Sequence, residues 1–258
     1  MSGDFDEAIM PMGPYEAQHN EVAEALKAIG DPGLGERIRL DRGSSLEHLG
    51  IPIPALRKRI AGGFSFTSQP REEVLATWDA LWFTSPYGDV LLAALAYYGV
   101  LVRKSVNAGL WPIVNRWPAR VDNWCHADML SAVYSRIIEA YPAETLPQIA
   151  EWSRAESEWG RRVAIVSLVP YSGRNAVFLT PPQVLPLLGN CLNDHRHSVQ
   201  QAVGWVLREM IHVHRAELTD FIEIHAARIG ARAFARAIER LPLTERRRLK
   251  ALRPKSGS

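Results

Sequence analysis

Cysteine is scarce. The 258 residues contain two, Cys125 and Cys191, too few for a disulfide framework and not spaced as the CxxC pair of a metal or redox centre. A reducing compartment is the expectation. Long apolar runs are missing too: the longest uncharged one, Val90 to Val102, is closed by Asp89 and Arg103 and spans 13 residues. That is short of the ~20 needed to cross a bilayer and reads as a buried helix. The first residues, MSGDFDEAIM, are acidic and carry no basic n-region of a signal peptide. The chain is therefore expected in the cytoplasm, with no membrane partner. Strand signals are nearly absent, with no sustained apolar/polar alternation and no Asn-Gly or Asp-Gly hairpin turn.

What is present is an ordinary globular composition, 47% apolar and 22% charged, too apolar for a disordered chain. A chain of this length buries roughly 70–75% of its unfolded surface and needs no metal or disulfide to hold together. Charge is unevenly spread under a net +2: residues 1–36 hold eight acidic groups and one basic, residues 201–258 twelve basic and six acidic. Arginine outnumbers lysine 25 to 5. Its planar fork of donors fits phosphate oxygens, so the bias is compatible with nucleic-acid binding, although a GC-rich genome produces the same bias in any protein.

Apolar residues recur at three- and four-residue spacing, the helical period. Helices are expected over 16–29, 54–61, 71–83, 87–105, 124–141, 144–154, 158–171, 181–193, 197–214, 216–228, 231–240 and 243–252, with proline and glycine marking their ends. From 124 onward they fall into pairs whose first members start about 35–40 residues apart, the spacing of HEAT-like two-helix repeats. The expected fold is all-α, a HEAT-like helical-repeat solenoid with a concave face that binds something long. One domain over 15–252 is expected, with frayed ends at 1–14 and 253–258.

Three segments carry polar or aromatic residues that core packing does not require. In Val121-Asp122-Asn123-Trp124-Cys125-His126-Ala127-Asp128, with Asp122 as N-cap, Trp124 and Asp128 stand at i and i+4 on one helix face. Asp is unfavourable inside a helix, so Asp128 beneath a tryptophan asks for a reason. In Ser157-Glu158-Trp159-Gly160-Arg161-Arg162-Val163-Ala164 two arginines interrupt an apolar helix. In Val199-Gln200-Gln201-Ala202-Val203-Gly204-Trp205-Val206-Leu207-Arg208-Glu209, Gly204 costs about 1 kcal/mol of helix propensity, a penalty suited to a place where something approaches the backbone closely. Each also has a structural reading: a core tryptophan, a solvated arginine face, a surface aspartate.

In this order the three segments resemble the AlkD-type DNA alkylation-repair glycosylases, all-helical HEAT-like proteins that excise alkylated purines. The resemblance covers roughly residues 45–215. It includes His48-Leu49-Gly50-Ile51 with Pro54 and Arg57, and Leu81-Trp82 followed by Ala93-Ala94-Leu95. Gln201-Ala202-Val203-Gly204-Trp205-Val206-Leu207-Arg208-Glu209 follows the family pattern almost unbroken. The resemblance implies Asp128 as catalytic carboxylate, Trp124 and Trp205 as sugar-facing rings, and Arg162 on the DNA backbone, with Arg161 and Arg208 as further DNA contacts. The sequence departs from the pattern at Cys125, where relatives commonly carry an acidic residue. It also lacks a counterpart of an aromatic that relatives place before the Leu-Gly-Ile segment.

The implied activity is hydrolysis of the N-glycosidic bond of positively charged N3- and N7-alkylpurines in duplex DNA, bulky adducts included, without base flipping and without metal or organic cofactor. A monomer suffices for this. The competing readings are a non-catalytic HEAT-like protein that senses distorted DNA and a HEAT-type protein-interaction scaffold. Two His-x-His pairs, His195/His197 and His212/His214, and the neighbours Cys125-His126 do not share a helix face and make poor metal or nucleophile constellations.

Overall fold

The computed structural model describes residues 13–169 and 179–253. Its helices are α1 Glu16–Lys27, α2 Pro32–Arg42, α3 Ile53–Ala61, α4 Arg71–Thr84, α5 Gly88–Lys104, α6 Trp111–Val114, α7 Trp124–Ala140, α8 Pro142–Trp152, α9 Glu158–Val166, α10 Pro181–Cys191, α11 His197–Ile211, α12 Arg215–Ile224, α13 Ala231–Ile238 and α14 Leu243–Ala251. Short 3₁₀ turns join several of them. Among the described residues there is no β-strand, only an isolated bridge between Glu47 and Tyr87. The protein is all-α and built from helical repeats. No helix among these residues is long and apolar enough to cross a membrane. The expected frayed ends lie outside the described residues except for 13, 14 and 253; so do residues 170 and 171 of the helix expected over 158–171.

The chain divides into two compact units. One runs to Ser105 and resumes over Gly109–Met129; the other takes Val106–Ala108 and everything from Leu130.

The first unit is organised around α5. Its apolar run is buried from Val90 through Ala96 and again at Tyr98, because α1, α3 and α4 all pack on it. The helix contributes one buried carboxylate, Asp89, which accepts the backbone N–H of Leu49 at 2.7 Å and of Ile51 at 3.4 Å. It thereby fixes the segment between α2 and α3. Four large aromatics fill the remaining core: Trp78, Trp82, Tyr98 and Trp117 are all fully buried. Trp82 and Trp117 stack at 4.5 Å between centroids. Their ring N–H groups are satisfied, Trp82 by the Trp117 carbonyl and Trp117 by Asp79, as buried indoles require.

Helix α2 was not expected from the sequence. Its stretch Asp31-Pro32-Gly33-Leu34-Gly35 has the composition of a turn, yet Asp31 caps the helix by accepting the Leu34 N–H at 3.1 Å and Pro32 takes the first position, where its missing N–H is harmless. The only residue it buries is Gly35. A Cβ there would overlap the His48 carbonyl, so the helix docks by backbone approach instead of an apolar stripe.

In the second unit α9, α11 and α13 pack side by side, and α8, α10 and α12 pack between and behind them. The odd-numbered helices start at Glu158, His197 and Ala231, which reproduces the expected repeat spacing. The closest approach falls at Gly204, where a Cβ would stand 2.7 Å from the Ala233 carbonyl oxygen and 2.8 Å from Arg236 Cβ. What comes close to this backbone is therefore α13.

Candidate active site

Asp122, Asn123, Trp124 and Asp128 all belong to the first unit. The helix cap was expected at Asp122, but the structure puts it one residue later. Asn123 Oδ1 accepts the N–H of Cys125 at 2.9 Å and of His126 at 3.1 Å, satisfying two of the donors that a helix start leaves open. Asp122 is drawn elsewhere. Its Oδ2 accepts the Ser44 hydroxyl at 2.6 Å and the Ser45 N–H at 2.9 Å, and Oδ1 accepts the Asn123 amide at 2.7 Å. Burial pushes this carboxyl towards the neutral form. The hydrogen bond and charge of His126, with the donors from Ser44 and Asn123, outweigh that and hold it well below the usual carboxylate range.

His126 completes the anchor. Its ring is buried and meets Trp82 edge-on at 6.2 Å. Nε2 lies 3.1 Å from the Gly88 carbonyl and must carry a proton, since a carbonyl only accepts. Nδ1 faces Asp122 Oδ1 at 3.1 Å and the Asn123 amide at 3.0 Å. The inner face of the first turns of α7 is thus fixed by residues 122, 123 and 126, with Ala127 and Leu130 buried beside them.

Trp124 and Asp128 occupy positions on the other face of the helix. Trp124 is 43% exposed, unusual for an indole, and Asp128 is half-buried four residues along the same helix. Side chains at i and i+4 are neighbours on a helix surface, so the structure brings this pair together as the sequence spacing requires. One residue that the sequence reading missed joins them. Arg42, the last residue of α2, sets its guanidinium 5.7 Å from the centroid of the Trp124 ring. Nothing local in the sequence signals this contact, because it spans 82 positions and comes from an unexpected helix.

The remaining expected residues lie in the second unit. Arg162, on α9, is buried at 5% exposure, with Nη1 donating to the Ser198 carbonyl at 2.6 Å. Trp205, on α11, is half-buried. Arg161 distributes its fork among the carbonyls of Ala155, Asn190 and Arg154 and the carboxylate of Asp194. Arg208, 8% exposed, is held by Glu239 at 2.7 Å and by Glu209 at 2.6 Å. Both of these arginines therefore act inside the protein, tying α9 to residues 190–194 and α11 to Glu239. Of the two His-x-His pairs, His197 and His212 each accept from an arginine, Arg232 and Arg240.

The chain belongs to the DNA alkylation repair enzyme family, whose model matches residues 22–241. Its role is in the repair of alkylated DNA, and DNA is its partner. Among solved structures it is similar to "Predicted DNA alkylation repair enzyme from Enterococcus faecalis", with a TM-score of 0.68 at 15% identity over 83% of this chain and 97% of that one. It is also similar to AlkD2 from Streptococcus mutans, with a TM-score of 0.48 at 18% identity over 85% and 95% of the two chains. A third similar structure is smu.31 from Streptococcus mutans UA159, at 0.48 and 17% over 78% and 90%. No curated protein matches the chain.

Proposed function

We propose that this repair enzyme is a monofunctional DNA glycosylase that hydrolyses the N-glycosidic bond of N3- and N7-alkylated purines in duplex DNA. The observation that supports it most directly is the pair on one face of α7, an exposed indole with a half-buried carboxylate at i+4, in a chain of this family.

Alkylation at N3 or N7 leaves a positive charge on the purine. When the glycosidic bond breaks, its electron pair goes to the base, which departs neutral and needs no general acid. Charge then develops on the sugar as an oxocarbenium-like cation. Asp128 stabilises that cation and orients the water that adds to C1′, the water's second proton passing to the carboxylate or to solvent. A fixed electrostatic partner of this type contributes about 3–4 kcal/mol, or 100- to 1,000-fold in rate. The Trp124 ring presents its negative face to the same charge, for about 0.5–2 kcal/mol.

In the second unit the same reading gives Trp205 a sugar-facing ring and Arg162 a phosphate. A DNA contact by Arg161 or Arg208 has to compete with the carboxylates already on them. Selectivity in this scheme comes from the lability of the cationic lesion and not from reading an extruded base. Neutral lesions such as uracil or hypoxanthine are therefore not substrates.

The test is release of 3-methyladenine and 7-methylguanine from alkylated duplex DNA, wild type against Asp128→Asn. The variant is expected to lose at least 100-fold in excision rate while keeping its affinity for DNA. An Asp128→Asn protein that excises at the wild-type rate, or a wild type that binds alkylated DNA without releasing base, overturns the assignment. The latter result identifies a non-catalytic sensor of distorted DNA.

A further inference from the structure

Arg42 is unlike Arg39 and Arg59. Arg39, one turn earlier on α2, is paired with Glu36 at 2.8 Å, and Arg59 donates to the Gly63 carbonyl. Among the described residues Arg42 makes no ion pair within 4 Å, and its Nη1 is buried without any hydrogen-bond partner. A donor on a charged group, removed from water and given no acceptor, is a standing penalty that native structures seldom tolerate. The side chain is nonetheless held in place. Its guanidinium rests on the face of Trp124 within cation–π range, and its position in the last turn of α2 suits a cation. Its charge also reaches Cys125, the residue after Trp124, where it opposes the upward push that burial gives the thiol.

We propose that Arg42 is a positioning residue whose guanidinium takes a DNA backbone phosphate beside Trp124. The buried edge of the fork holds it rigid, and its solvent-facing edge, on a side chain that is only partly buried, takes a phosphate oxygen, an anion the planar fork fits. A phosphate there has a second consequence. A bare guanidinium over Trp124 competes with a cationic sugar for the same ring, whereas one neutralised by phosphate does not. The strand that brings the sugar thus also removes the competing charge. This inference rests on the glycosylase reading only for that last effect, because the phosphate contact itself needs no chemistry.

The experiment measures binding to an undamaged duplex of about 20 base pairs as a function of salt, for wild type, Arg42→Met and Arg42→Lys. Arg42→Met keeps a stem to pack on Trp124 and loses the charge; thermal melting confirms that each variant folds. Arg42→Met is expected to lower affinity about tenfold and to reduce the slope of log K against log salt by about 0.9, the release expected for one phosphate. Arg42→Lys is expected to keep the slope. If Arg42→Met binds with the wild-type slope, the proposal is overturned, and any change in its melting temperature reports a purely structural arginine. If both variants lose the slope equally, the charge is not what matters and the proposal is overturned as well. Because no lesion is present, the outcome is independent of Asp128→Asn. A clamp can stand where the glycosylase reading fails, and the reverse.

Discussion

Replacing Gly204 by alanine should destabilise the protein, although helix propensity alone predicts the opposite. In an isolated helix the change gains about 1 kcal/mol. Here the new Cβ would stand 2.7 Å from the Ala233 carbonyl oxygen and 2.9 Å from Ala233 Cα, both backbone atoms of α13. No rotamer change relieves them. Restoring an ordinary 3.4 Å contact requires α13 to retreat by roughly 0.7 Å, and overpacking of this kind costs about 1–3 kcal/mol, towards the upper end where backbone must move. The net effect is a loss of about 1–2 kcal/mol, which for a chain of this size lowers the melting temperature by about 2–8 °C. Gly189, inside α10 and with nothing within 4 Å of its added Cβ, is the control: Gly189→Ala should raise the melting temperature by about 1–3 °C. Thermal unfolding followed by circular dichroism separates the two. A Gly204→Ala protein as stable as wild type would refute the close-approach argument.

Three further outcomes are expected. Arg162→Ala should weaken DNA binding about tenfold and flatten its salt dependence by about 0.9, measured on a protein whose fold is confirmed by melting. Trp124→Ala should slow release of 3-methyladenine by about 2- to 30-fold, the range of one ring–cation contact, and should change stability little because the indole is partly exposed. Asp122 supplies a pH dependence. Its folded-state value is depressed, so its contribution is complete above the unfolded value near 4 and is lost as pH falls through the folded one. Urea midpoints of wild type should therefore decline below about pH 4. Asp122→Asn should lose about 2–3 kcal/mol at pH 7 and decline less in acid, since its charge-assisted hydrogen bonds are already gone. Equal declines in the two proteins would remove Asp122 from the account.

The apolar periodicity was enough to find every long helix except α2, because the others bury at least one large apolar side chain and α2 buries one glycine. Pattern reading detects side-chain burial and is blind to docking through bare backbone. The pair Trp124 and Asp128 was legible for the same reason that helices are, being fixed by spacing along a single element. Asp122 and Asn123 have nearly equal cap preference, and the choice between them was made by Ser44 and Ser45, which lie far upstream and draw the aspartate away. The position of Arg42 depends on tertiary approach in just this way. So do the carboxylates that hold Arg161 and Arg208, since Asp194 and Glu239 stand 33 and 31 residues along the chain. Gly204 was rightly read as a point of close approach, but composition could not say that the visitor is another helix of the same protein.

The anchoring of α7 through Asp122, Asn123 and His126 has a consequence for speed. In the proposed reaction a nucleotide arriving at Trp124 would meet a ledge already set, with its inner side locked to three other segments of the unit, so little of the encounter energy would go into arranging the protein. Water around a developing sugar cation must swing its dipoles round as the charge grows; a carboxylate standing on a rigid turn does not. On this view, slackening the buried imidazole or its carboxylate partner slows excision without either side chain ever touching DNA.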